Sequence, residues 1–137
     1  MAMLPSGLPD QIDDIEDLAR FLTQGDHYKA AVVKPAAFLP NPRDKETSVS
    51  RHGRAPLERL WEIGAVAAGQ RPLHGAAIVK AGVVRTATLE IFSDEPPHRH
   101  AVIRGWPWDG SDPDILKARR KELAMVLASA AGPPLLK

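Results

Sequence analysis

Apolar residues recur at helical spacing in three stretches of the chain. Ile12, Ile15, Leu18, Ala19 and Leu22 form one stripe, with Asp10 as an N-cap before it and Gly25 as a stop after it. Acids crowd its first turns, where they complement the positive end of a helix, so the spacing predicts a helix over 10–25. A second stripe follows Pro56, a favoured residue at the first turn, and carries Leu57, Leu60, Trp61, Gly64 and Ala68 up to Gly69. The third opens at Asp112-Pro113. Ile115, Leu116, Leu123, Val126, Leu127 and Ala130 give its apolar side, Lys117, Arg120 and Lys121 the polar one, and Gly132-Pro133-Pro134 ends it.

Between these helices the period shortens. Residues 28–34 and 48–52 read as short strands, separated by Pro35, Pro40, Pro42 and a polar loop over 41–47. Residues 74–80, 83–92 and 99–104 carry β-branched or alternating residues. Ala81-Gly82 suits a hairpin turn and Pro96-Pro97 a stiffer connection, which predicts a three-stranded antiparallel meander. Helices at the start, middle and end around a mainly antiparallel sheet of three to five strands make a two-layer α+β domain over 10–134, with a flexible lead over 1–9 and a tail over 135–137. Strict strand–helix alternation is missing, which argues against a doubly wound parallel sheet.

Composition narrows the class. The chain has 137 residues, 44% hydrophobic and 26% charged, as in an ordinary globular domain rather than a disordered, collagen-like or disulfide-built one. Cysteine is absent, which excludes thiolate metal sites and cysteine nucleophiles. Residues 1–9 lack the basic and apolar regions of a signal peptide, so a cytoplasmic protein of bacterial style is expected. The formal net charge is +1, but residues 1–26 hold six acids and one base, and the remainder is net basic by +6. The acidic stretch is expected to be a solvated helix face; the sharper reading lays it over a basic site or a basic partner.

The densest chemistry is His98-Arg99-His100. On a strand, His98 and His100 share one face. With His74, Glu90 or Asp94 they would make a metal site, but neighbouring arginines repel a divalent cation, and where a cupin carries its following carboxylate this chain has Arg104 and Gly105. No metal is therefore expected. Without metal, histidines serve as base and acid near neutrality, and arginines hold phosphate through paired N–H groups. His74 and His100 are the candidate catalytic pair. Arg51, Arg54, Arg85, Arg99 and Arg104, with His52 beside them, are the candidate anion-binding set. Trp106 and Trp108, on either side of Pro107, are candidates for base stacking or a protein interface, with one plugging the core edge as the plainer reading. The run 117–121 is basic and suits phosphate-backbone contacts or a solvated face. No Walker-type, dinucleotide or nucleophile-elbow motif appears, and no cofactor is expected.

Ala37-Phe38, Ser48-Val49-Ser50-Arg51, Leu73-His74-Gly75, Pro96-Pro97-His98-Arg99-His100 and Gly105-Trp106-Pro107 together resemble words found in small bacterial proteins near prophage, defence or toxin–antitoxin genes. That resemblance implies a protein partner, and no reaction or catalytic residue. The leading expectation is a small cytoplasmic binding protein that holds nucleic acid, a nucleotide or an acidic partner protein on a basic, histidine-bearing sheet face. The rivals are a metal-independent nuclease or phosphate-ester enzyme using a histidine pair, and a subunit that binds only protein through Trp106, Trp108 and Phe38.

Overall fold

Residues 2–52 and 56–137 are described by a computed structural model. Its main sheet has six strands, all pairings antiparallel: β1 (Asp17–Leu22), β4 (Thr47–Arg51), β5 (Gly75–Lys80), β6 (Glu90–Ser93), β7 (His100–Arg104) and β8 (Leu135–Leu136), in the order β6-β7-β4-β1-β5-β8. A separate hairpin joins β2 (Tyr28–Lys29) to β3 (Val32–Val33). The helices are α1 (Leu57–Ala68), α2 (Ala81–Thr86) and α3 (Pro113–Ala131). The α+β class is as expected, with more strands than the three to five anticipated. Among the described residues no helix is long and apolar enough to cross a membrane.

The first expected helix is a strand, and it lies inside the sheet between β4 and β5. Leu18 and Leu22 point to one face and Ala19 and Phe21 to the other, because strand side chains alternate. Both faces are covered, so apolar residues fall at nearly every position, as in a doubly buried strand, and mimic helical spacing. The acids at its start do not fill a helical turn; three of them pair with cations brought from elsewhere in the chain: Asp14 with Arg85, Glu16 with Arg51, Asp17 with Lys80. Of these pairs the Glu16–Arg51 one is buried and the other two are exposed.

The helices occupy both faces of the sheet, not one. α3 packs Ala124, Leu127 and Ala128 into the cluster that also holds Leu18, Leu22, Ala77, Val79 and Ile103. On the other face, α1 packs Leu60 and Ile63 against Ala19, Phe21, Ala76 and Ile78. It sits so close that a Cβ on Gly64 would fall 2.7 Å from Phe21 Cε1. The start signals of the expected helices hold at α3, where the Asp112 carboxylate accepts from the Asp114 N–H and Pro113 takes the first turn.

The expected meander is replaced. Ala81-Gly82 opens α2 instead of a hairpin, burying Ala81 and Val84, so β5 pairs with β1 and β8 and never with β6. The expected lead is tied down: Ser6 donates from both its N–H and hydroxyl to Glu95, and Met3 bridges Pro9. The expected tail adds β8 to the edge of β5.

Candidate functional site

α1 covers only the β1–β5 half of its face of the sheet. Over the other half, the face that carries Ala19 and Phe21 continues across the registers Ala19↔Ser50 and Ser50↔His100. A groove runs between this uncovered half and the flank of α1. One part, of about 330 Å³, is lined by Ile63, Val66 and Ala67 of the helix and by Ser50, His98 and His100 below, with Arg59 and Glu62 at its mouth. It adjoins a smaller space of about 60 Å³ through Ser50, Ala67 and His100, and Arg20 and Arg71 line that second part. The α1 residues stand at four-residue steps (Arg59, Ile63, Ala67) beside the buried stripe of Leu60, Gly64 and Ala68.

His100 is the best-defined group in the groove. Its Nδ1 lies 3.0 Å from the Asp94 carbonyl oxygen and 3.1 Å from Asp94 Oδ2. Both are acceptors, so Nδ1 carries a hydrogen and donates to them. Ser50 faces His100 directly across the strand pair. At the mouth, Arg59 Nη1 donates to Glu62 Oε2 at 2.8 Å, an exposed pair one turn apart. Arg71 closes the end of α1 by donating to the carbonyls of Ala67 and Ala68. Arg20 donates to the carbonyls of Ala37 and Ser48. Burial, helped by the nearby Arg71 charge, pushes its pKa down to about 10.

The anticipated anion-binding set does not assemble on one surface. Arg51 is fully buried; its guanidinium donates to both Glu16 oxygens (2.5 and 2.7 Å), to Ser93 Oγ and to the carbonyls of Pro9 and Gln11. Arg85 is held by Asp14 and the Ile12 carbonyl, and Arg104 by Glu46 over the Phe92 ring. Arg99, at φ 64°, donates to the carbonyls of Arg51 and His52. These hydrogen bonds and ion pairs tie the four side chains into separate parts of the fold. Arg54 lies outside the described residues. His52 is half-buried, and burial lowers its pKa against the opposing pull of Asp17.

His74 and His100 are also apart. β5 and β7 are separated by β1 and β4, three strand spacings or about 14 Å, and the register offsets the two histidines by roughly four residues along the strands, about 13 Å more. They cannot flank one scissile bond. His74 Nδ1 instead meets the Tyr28 hydroxyl at 3.0 Å. Trp106 is buried in the core, as the plainer reading had it. Trp108 stacks under Arg120, whose guanidinium carbon is 4.0 Å from the ring centre.

Arg20, Arg59 and Arg71 were not among the sequence candidates. Arg59 was legible in principle, one step off the buried stripe of a well-marked helix. Arg20 and Arg71 were not, since only the tertiary fold brings them beside β4. Among the described residues no group of three or more His, Asp or Glu is placed to hold a metal ion. Set against family models, curated proteins and solved structures, the chain matches none.

Proposed function

We propose that the chain is a small binding protein that takes an anionic ligand of nucleotide size into the groove between α1 and β4–β7. The supporting observation is the meeting of His98, His100, Arg59 and Arg71 around an apolar helix flank. Its volume is within the range of small-molecule sites, which are mostly apolar with a few polar groups fixing orientation. In this reading Ile63, Val66 and Ala67 receive the apolar part of the ligand. The His100 Nε2 and the guanidinium groups meet its polar part, and Asp94 keeps the imidazole turned toward it. The resemblance to prophage- and toxin–antitoxin-associated proteins supplies a setting for this reading and no residue of it.

The experiment is calorimetric titration of the full chain with nucleoside mono-, di- and triphosphates and with inorganic phosphate. Saturable binding of at least one nucleotide is expected, weakening about tenfold in His100→Ala and in Arg59→Ala, the size of one charge-assisted hydrogen bond. Heat only of dilution across the series, or affinities that ignore both substitutions, would sink the proposal.

The Asp94–His100 pair favours a second reading. An imidazole whose Nδ1 is held by a carboxylate has the arrangement of a general base. Hydrolysis of an activated phosphodiester that falls by orders of magnitude in His100→Ala would move the protein from binder to enzyme; a background rate in the wild type removes this alternative.

A further inference from the structure

We propose that a second groove, between the β2–β3 hairpin and α3, docks an acidic segment of a partner protein through an apolar side chain. Its floor is Tyr28, Pro35, Ala36 and Leu39, and its volume is about 470 Å³. Lys29, Lys34 and Lys121 rim it, and Asp26 is its one lining carboxylate. Lys117 stands one helical turn before Lys121. Leu39 is 37% exposed and Val32, paired with Lys29 across the hairpin, is 57% exposed. A small apolar floor rimmed by ammonium groups suits one apolar side chain flanked by carboxylates.

The distribution of cations across the molecule points the same way. Arg20, Arg51, Arg71, Arg85, Arg99, Arg104 and Arg120 donate to carbonyls or carboxylates of the fold. Of the lysines, Lys80 alone has an ion-pair partner among the described residues. Lys29, Lys34 and Lys121 have no ion-pair partner among the described residues and line this groove, with Lys117 one helical turn from the last of them. Lysine is a mobile point charge, suited to diffuse attraction of carboxylates rather than to forked recognition of phosphate. No arginine lines the groove, and the ring of its one aromatic residue, Tyr28, is half-buried with the His74 ring 5.6 Å away. Nucleic acid, which wants arginine forks and free stacking faces, fits poorly. A lipid surface is too flat for a concave floor. An acidic peptide with one aliphatic or aromatic anchor matches both the charge and the shape.

The test is selection of random 12-residue peptides on the immobilised full chain, followed by anisotropy titration of labelled winners. Winners should combine an acidic run with an apolar residue. They should bind at least tenfold more weakly to Lys34→Glu/Lys121→Glu, a variant altered only at exposed positions and checked by circular dichroism. Leu39→Ser should weaken them separately; unchanged binding there overturns the anchor. Winners without acidic enrichment, or held equally by the charge-reversed variant, overturn the proposal. So do poly(U) RNA or phosphatidylserine vesicles that displace the peptides. Nucleotide titration at the α1 groove should be unaffected by the double variant, which keeps the two sites distinguishable.

Discussion

Arg51 shows how one residue can be read correctly as special and wrongly as to its task. A guanidinium with no solvent exposure, forked onto Glu16 and meeting two carbonyls and a hydroxyl, is a joint between the N-terminal segment and the sheet. Removing one member leaves the other charge buried and unpaired. Arg51→Met should therefore lower stability by about 3–5 kcal/mol, measured as a shifted urea midpoint. A change below about 1 kcal/mol would show that the pair behaves as an exposed one. His27 gives a pH test. It is buried, and its Nδ1 accepts from the Thr23 N–H. Burial and then the Arg20 charge hold its pKa below the ordinary 6.5. The unfolded chain thus takes up a proton more readily than the folded one. Stability is full above pH about 6.5 and declines as the pH falls through that value toward the folded pKa, with His52 adding in the same direction. The melting temperature should drop between pH 7.5 and 5.5, and by less in His27→Asn, whose side-chain oxygen can still accept. An equal drop in both would assign the effect to other groups.

Among the elements, what was legible depended on whether the signal was local. α1 carries proline and glycine at its ends and α3 aspartate, proline and glycine, and those residues act locally, so both helices were plain from the chain alone. β1 was not. Its acids and its apolar steps are what a helix would show, and only the two covering layers explain them. α2 is six residues with two adjacent valines, too short and too β-branched to announce itself. The candidate groove divides the same way. His98 and His100 stood out as a pair, whereas the arginines around them depend on which carbonyls the fold leaves nearby. β8 supplies the test at this scale. Gly75 lies so close beneath it that a Cβ would sit 2.1 Å from the Leu135 carbonyl oxygen, a backbone atom. Gly75→Ala should release the strand and leave the core standing. The Lys137 amide, which donates to the His74 carbonyl, should lose its protection from hydrogen exchange while the β1 amides keep theirs. Retained protection at Lys137 would mean that the strand shifts without leaving.

For the molecule as a whole, half of the six acids in the first segment are taken up in ion pairs with the rest of the chain. Three acids of the first segment meet Arg51, Lys80 and Arg85, and three of the lysines left without an ion pair line the second groove. The two grooves are then chemically distinct: one offers imidazole and guanidinium beside a helix flank, the other mobile ammonium groups over an apolar floor.

The position of β1 also bears on how the protein is made. Its register joins Leu18 to Arg51 on one side and Asp17 to Lys80 on the other. During translation this strand leaves the ribosome before either neighbour exists, with apolar side chains on both faces. A nascent chain stalled short of residue 75 would have β4 to pair with but would leave the β5 side of that strand open, so closing the sheet has to wait for strands made later.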